Sequence, residues 1–221
     1  MQSASALEGT SGCAGCGNFQ SHGRETSIHR TASVDLHVQE RVGSLDLYEL
    51  GLTSLAGLGT LAEVDALGLT ALQIKDLTGL EHVAIGTLGI GYNEKLTRLD
   101  GLTPAIQRLS ALTLQSNPLL DDLRALGALQ RITDGLSVTG NDALSSLAGL
   151  EQLSQVASLG VSDNAHLTSL TALQSLTAAP TLRIMDNPLL PTCQAQGLAD
   201  RLGDEPQAVS VSGNLAGGTC D

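Results

Sequence analysis

Apolar residues form pairs spaced two apart along this chain, and each pair is followed by apolar residues spaced three apart. The eight pairs are Leu45/Leu47, Leu67/Leu69, Leu88/Ile90, Leu112/Leu114, Leu136/Val138, Leu159/Val161, Leu182/Ile184 and Val209/Val211. A spacing of two places both side chains on one face of an extended strand. A spacing of three, as in Leu144, Leu147 and Leu150, fits a 3₁₀-like turn or an irregular arc. Each repeat is therefore predicted to be one short strand and one apolar arc, with successive strands pairing in parallel.

An asparagine follows the predicted strand in most repeats, at intervals of 24, 24, 23 and 23 residues. These residues are Asn93, Asn117, Asn141, Asn164 and Asn187. Where a strand ends in a sharp turn, inward N–H and C=O groups lack partners, and a buried asparagine can bridge them to the next coil. The spacing therefore predicts a structural asparagine ladder. In the first two repeats Leu50 or Gly51, and Leu72, stand near the expected places, so those coils are predicted to turn differently.

Self-similarity at this period indicates a solenoid, because a single coil cannot bury its leucines alone. We expect about eight coils of 21–27 residues, capped at both ends. The predicted parts are a flexible N-terminal segment (1–30), an N-terminal cap (31–44), the repeats (45–190) and a Cys-containing C-terminal cap (191–221). Residues 34–38 alternate like a strand and are assigned to the first cap. In the second cap we predict a helix over 194–202, a strand over 209–211 and a Cys193–Cys220 disulfide.

Two motifs carry a resemblance to known families. The frame Val156-x-x-Leu159-x-Val161-x-x-Asn164-x-x-Leu167 resembles the core of leucine-rich repeats. A recurring Leu-x-Gly-Leu is more similar to the receptor L-domain, the right-handed β-helix module of growth-factor receptor ectodomains, which has relatives among secreted bacterial proteins. That motif occurs as Leu55-Ala56-Gly57-Leu58, Leu77-Thr78-Gly79-Leu80, Leu99-Asp100-Gly101-Leu102 and Leu147-Ala148-Gly149-Leu150. The resemblance spans about two thirds of the chain. It implies a right-handed β-solenoid and, by analogy of fold, a non-catalytic recognition module.

Composition narrows the classes of partner. The net charge of −12 argues against nucleic acid, because cationic contacts to phosphates dominate that binding. Phe19, Tyr48 and Tyr92 are the three aromatic residues, which argues against carbohydrate and single-strand nucleic-acid platforms. No apolar run approaches the roughly 20 residues of a membrane span. We therefore expect a protein partner, no transmembrane segment and no cofactor, while the oligomeric state stays open.

Cysteine usage bears on the compartment. The sequence includes no signal peptide, which fits either a cytosolic protein or a mature chain that begins after cleavage. Four cysteines, two of them in the predicted C-terminal disulfide, favour a secreted, periplasmic or cell-surface location. Cys13-x-x-Cys16 is interpreted as a disulfide, either within the pair or to the cap. With His22 and His29 it also has the residue types of a zinc site, but the histidine spacing matches no standard pattern, so no metal is predicted.

No nucleophile elbow, HExxH motif or P-loop occurs, so we predict that the chain is not an enzyme. The outward strand positions are mostly small, and the predicted binding residues on this side are Tyr48, Tyr92, Arg183 and Met185, since large aromatic and Arg side chains anchor protein interfaces. The first hypothesis is a recognition module that binds a protein through the strand face or adjacent loops. The alternatives are a structural or self-associating cell-envelope protein, and a Ser/Thr surface that orders water or ice.

Overall fold

The architecture is one open sheet with arcs of apolar chain behind it. A computed structural model describes residues 20–22, 25–29, 41–49, 51–102, 106–203, 206–218 and 220. The ten strands within these residues stand in sequence order across the sheet. They are β1 (Gln20–His22), β2 (Glu25–His29), β3 (Arg41–Tyr48), β4 (Glu63–Thr70), β5 (Ala84–Gly91), β6 (Arg108–Gln115), β7 (Arg131–Thr139), β8 (Gln155–Ser162), β9 (Thr181–Met185) and β10 (Ala208–Ser212). β1 and β2 are antiparallel, and each later strand pairs in parallel with the strand before it.

The eight apolar pairs predicted from the sequence are in register from β3 to β10. Leu45, for example, lies opposite Leu67, which lies opposite Leu88 in the following strand. From β3 to β9 both members of each pair are buried, and the leucines of the arcs complete one continuous apolar core. The prediction of short parallel strands stacked in a solenoid-like sheet is therefore confirmed.

The sheet begins earlier than the repeat pattern indicated. β1 and β2 lie within the segment predicted to be flexible, and β3 starts at Arg41, before the predicted first pair. Thr26 and Ile28 of β2 are in register with Leu45 and Leu47. Because Thr26 is not apolar, the two-residue spacing does not mark this strand as a repeat. The predicted strand-like stretch 34–38 lies outside the described residues.

Each arc turns through backbone bonds three residues apart, as the apolar spacing predicts. The Leu58 N–H donates to the Leu55 C=O (2.8 Å), and the Leu61 N–H donates to the Leu58 C=O (2.8 Å). Three arcs contain a one-turn 3₁₀ helix, at Ala56–Leu58, Arg124–Leu126 and Thr171–Leu173. Others turn on the glycine of the Leu-x-Gly-Leu motif. At Gly79, with φ 115°, a side chain would collide with the Leu55 carbonyl of the preceding coil.

The turn after each strand from β3 to β10 uses one residue in the left-handed region. These residues are Glu49, Ala71, Tyr92, Ser116, Gly140, Asp163, Asp186 and Gly213, with φ between 49° and 67°. The expectation that the first two coils turn differently is therefore wrong. Glu49 (φ 49°) and Ala71 (φ 54°) have the same backbone shape as the asparagine-containing turns. The reason is that the Leu72 N–H still reaches the Asn93 Oδ1 (2.9 Å), so leucine can occupy the asparagine position where the ladder starts.

The five predicted asparagines are fully buried and linked rung to rung. The Asn117 N–H and Nδ2 both donate to the Asn141 Oδ1 (3.1 Å each), and the same pair of bonds joins Asn93 to Asn117 and Asn164 to Asn187. Asn141 donates to the Asn164 Oδ1 through its backbone N–H (3.0 Å). Each Nδ2 also donates to a strand carbonyl of the preceding coil, as from Asn141 to Leu114 (2.9 Å). Asn214, which the repeat alignment did not include, extends the ladder by accepting from the Asn187 N–H (3.1 Å) and Nδ2 (3.2 Å).

The C-terminal cap replaces the last arc with a helix, α1 (Thr192–Leu202), which begins two residues before the predicted start. Its residues Ala195, Leu198 and Leu202 are buried against the core. Cys193 at its start forms the predicted disulfide with Cys220, with the two Cα atoms 5.9 Å apart.

The guanidinium of Arg201 joins the end of α1 to the arc before it. Its Nη1 donates to the carbonyls of Gln174 (2.7 Å) and Leu176 (2.9 Å), and its Nη2 donates to that of Leu173 (2.8 Å). Three carbonyl groups of one arc are therefore satisfied by a single charged side chain of the cap.

Candidate interaction surface

The side of the sheet that faces away from the core presents two rows of residues, here called the outer strand face. The first row is Asp46, Gly68, Gly89, Thr113, Ser137, Gly160, Arg183 and Ser210. The second row is Tyr48, Thr70, Gly91, Gln115, Thr139, Ser162, Met185 and Ser212. Both rows match the outward positions that the sequence predicts. Strands about 4.8 Å apart set the spacing within each row.

The four predicted binding residues fall into two separate pairs. Tyr48 ends β3 and is 40% exposed, and Tyr92 follows β5 and is 52% exposed. Arg183 and Met185 lie on β9, six strands from β3 and therefore about 29 Å from Tyr48. Arg183 is exposed and makes no ion pair or hydrogen bond with another described residue. One ligand of ordinary size would contact one pair or the other, so the outer strand face contains two candidate places.

Tyr92 occupies a backbone position that does not suit it. Its φ is 57°, in the left-handed region, which costs a residue with a Cβ roughly 1–2 kcal/mol. Gly140 and Gly213 hold the same position in their coils without that cost, whereas the residues of the other five coils bear it as Tyr92 does: Glu49, Ala71, Ser116, Asp163 and Asp186. The tyrosine does not offset the cost by packing in the core, because its ring is half exposed and its hydroxyl accepts from the Gln115 Nε2 (2.8 Å) on the outer strand face. Folding alone therefore gives no reason for an aromatic residue here.

Three glycines lie between the two tyrosines; we call Tyr48, Gly68, Gly89, Gly91 and Tyr92 the tyrosine–glycine patch. The Asp46 carboxylate lies over Gly68, Gly91 is buried, and Gly89 is partly exposed. A Cβ on Gly89 would come no closer than 3.9 Å to the Leu67 carbonyl oxygen, and one on Gly91 no closer than 3.6 Å to that of Gln115. Neither glycine has a positive φ. The fold would accept a side chain at both positions, although glycine within a strand costs about 0.5–1 kcal/mol relative to alanine. The partly exposed backbone at Gly89 is typical of places that another molecule approaches closely.

The patch is bordered by negative charge. The exposed Asp46 carboxylate extends over Gly68 and has no hydrogen bond or ion pair within the described part of the chain. The Glu49 carboxylate, next along the chain, accepts a hydrogen bond from the Tyr48 hydroxyl. This bond and the negative charge of Glu49 raise the pKa of Tyr48 above its usual value of 10.0. Two exposed carboxylates, of Asp46 and Glu49, therefore lie beside the Tyr48 ring. This arrangement favours the binding of positively charged groups.

The centre of the outer strand face is occupied by hydroxyl groups. Ser137 Oγ and Thr139 Oγ1 are 3.4 Å apart, and Thr139 Oγ1 and Ser162 Oγ are 3.2 Å apart. These hydroxyls bond to one another, and Gly160 interrupts their row, which weighs against the regular lattice that the water- or ice-ordering hypothesis requires. Cys13 and Cys16 lie outside the described residues, so their predicted pairing stays a prediction. Among the residues that the structure does describe, no group of three or more His, Cys, Asp or Glu is placed to hold a metal ion.

No protein-family model, curated protein or solved structure matches this chain. The resemblance to leucine-rich repeats and to the receptor L-domain therefore rests on its own residues. None of the helices in the described ranges is both long and apolar enough to cross a membrane.

The sequence pointed to Tyr48 and Tyr92 as binding residues, but it did not show that they flank a glycine-containing part of the outer strand face. The glycines were visible as outward positions, yet the sequence does not tell whether a glycine is required by the backbone or by crowding. The clearance around Gly89 and Gly91 supplies that missing information.

Proposed function

We propose that this chain is a right-handed β-solenoid of the leucine-rich repeat or receptor L-domain type, and that it acts as a non-catalytic recognition module outside the cytoplasm. In this proposal it binds a protein partner through the outer strand face, with the tyrosine–glycine patch as the contact site. The repeat period and the asparagine ladder support the family assignment. The Cys193–Cys220 disulfide supports the location, because such bonds persist in oxidising compartments.

The observation that carries the proposal is that two exposed tyrosine rings flank a strand position, Gly89, where the fold would accept a side chain. Tyr92 is the aromatic residue among the six non-glycine residues that adopt the left-handed conformation of these turns, and Gly89 leaves a partly exposed strand position without a side chain. Such local costs are typical of binding surfaces, where a partner and not the fold determines the residue. The two exposed tyrosine rings, beside strand positions that have no side chain, also provide rigid apolar area of the kind found in interface hot spots.

The charge around the patch indicates the kind of partner segment. Asp46 and Glu49 border Tyr48, and the chain as a whole carries a net charge of −12. A basic segment, with Lys or Arg over a tyrosine ring, would gain from both the carboxylates and the ring faces. We therefore expect binding to weaken as the salt concentration rises.

The test is site-specific photo-cross-linking in extracts of the source organism's envelope and growth medium. A photoreactive residue replaces Thr70, which lies between Tyr48 and Gly91 in the second row. A second protein carries it at Ser175, an exposed residue of an arc. We expect a discrete cross-linked protein from position 70 that excess unlabelled protein competes away, and none from position 175.

Gly89 and Gly160 provide a matched pair of variants for the captured partner. Both lie in the first row, and in both a Cβ would be 3.9 Å from the nearest atom, a carbonyl oxygen of the preceding strand. Gly89→Thr should therefore reduce affinity at least tenfold, whereas Gly160→Thr, outside the patch, should leave it unchanged. Equal effects of the two substitutions, or the same cross-linked protein from both labelled positions, would contradict the proposal.

A further inference from the structure

The last strand leaves the sheet open at its C-terminal edge. β10 differs from the strands before it because its inward residues are not covered by another coil. Val209, at a position that is buried from β3 to β9, is 46% exposed, and Leu215 in the following turn is 39% exposed. No charged residue occurs from 206 to 218, although charge is the usual protection of an exposed strand edge.

The periodic hydrogen bonds of the turns also end here without partners. In earlier coils the left-handed residue donates its N–H to the next strand, as Asp186 does to the Ser212 carbonyl (2.9 Å). The asparagine that follows donates to the next asparagine, as Asn187 does to Asn214. The corresponding N–H groups of Gly213 and Asn214 have no acceptor among the described residues. The edge therefore combines free backbone donors with exposed apolar side chains. In the earlier coils the equivalent groups pair with the next coil of the sheet.

We propose that this edge binds a second copy of the chain, with the two β10 strands antiparallel about a two-fold axis near Ser210. The sequence of β10, Ala-Val-Ser-Val-Ser, supports that partner because its two valines are placed symmetrically about Ser210. Val209 would lie opposite Val211 of the second copy, so that valines meet on the core side. On the outer strand face Ser210 would lie opposite its own copy, and Ser212 opposite Ala208.

Charge favours two copies meeting at this edge over another surface. Each chain carries a net charge of −12, so two copies repel each other wherever carboxylates line the contact. The uncharged stretch 206–218 is free of that repulsion. In the proposed register Gly213 lies opposite Gln207 of the second copy, whose carbonyl groups can accept the free N–H. The contact area of a five-residue strand is small, so we expect a dissociation constant of roughly 0.1 mM.

Sedimentation velocity from about 5 to 500 µM tests the association. We expect the weight-average mass to rise from monomer towards dimer. Val209→Lys should weaken the association at least tenfold, because it places a charge on the edge. Leu119→Lys is the control, since Leu119 is 51% exposed in a turn far from β10. A monomer at every concentration, or equal effects of the two lysines, overturns the proposal.

Cysteine substitution tests the register. Residues opposite each other in an antiparallel pair have Cα atoms about 4.5–5.5 Å apart, within reach of a disulfide. Ser210→Cys should therefore cross-link to its own copy under mild oxidation. Ser137→Cys, in the same row but mid-sheet, and the unsubstituted chain should not do so. Cross-linking at the same rate in all three proteins would refute the two-fold arrangement.

Discussion

Replacing one asparagine of the ladder should cost more in the middle of the stack than at its start. In Asn141→Leu, the Asn117 N–H loses its acceptor and the Asn117 Nδ2 loses one of its two acceptors, which leaves two N–H bonds of a fully buried residue unsatisfied. An unsatisfied buried donor costs about 1–3 kcal/mol, so two give a loss of roughly 4 kcal/mol. In Asn93→Leu only the Leu72 N–H loses its acceptor, so we expect a loss of roughly 2 kcal/mol. Leucine is a fair test residue, because the chain itself carries it at position 72.

The measurement is the free energy of unfolding in urea for both variants and the unsubstituted chain. The urea dependence of that free energy is compared as well, because solenoids can unfold in parts and a changed slope would reveal it. Hydrogen exchange adds a local readout, since the Asn117 amide should lose protection in Asn141→Leu and keep it in Asn93→Leu. Equal losses of stability in the two variants, or full protection of the Asn117 amide in both, would refute the orphaned-donor reasoning.

Three further predictions concern the cap and the patch. Removing the disulfide with Cys193→Ser and Cys220→Ser should lower the unfolding free energy by about 3.5 kcal/mol, because the unfolded chain regains the entropy of a loop of 27 residues. Calorimetry of the variant and the parent measures this loss, and an unchanged unfolding temperature would contradict the prediction. Arg201→Lys should not restore what Arg201→Ala loses in urea unfolding, because an ammonium group cannot reach three carbonyls in the guanidinium geometry; equal stability of the lysine variant and parent would show otherwise. Ultraviolet titration should find the Tyr48 hydroxyl ionising above pH 10.0, and Glu49→Gln should bring its pKa down towards that value, since the neighbouring carboxylate raises it; a titration unaffected by the substitution would exclude that cause.

Most of the sheet could be predicted because its signals are local and repeated. Pairs such as Leu88/Ile90 and the asparagines recur at nearly fixed intervals, and each repeat supports the alignment of the others. The prediction failed where the pattern is incomplete. β2 has Thr26 where later strands have an apolar residue. Leu72 replaces an asparagine without changing the turn, because its N–H still finds the Asn93 side chain.

The contacts that a repeat pattern cannot predict are those made once. The guanidinium of Arg201 donates to three carbonyls of an arc that lies 25–28 residues earlier in the chain, and among the described residues no other arginine donates to the carbonyls of an arc. The candidate site is similar, because Tyr92 is identified by its backbone conformation and Gly89 by the space around it. Both are properties of three-dimensional geometry, and the amino-acid type alone does not encode them.

Because successive asparagines bond through the same atoms, the chain can change length during evolution in a particular way. Asn117 and Asn141 are 24 residues apart, and each donates its backbone N–H to the side-chain oxygen of the next asparagine. Recombination that joins the codon of Asn117 to the codon that follows Asn141, or the reverse, would delete or duplicate one whole coil. The asparagines of the two coils then brought together could still form the hydrogen bond of the ladder. The length of the protein is therefore a quantity that inheritance can adjust in steps of one coil, without redesigning either end.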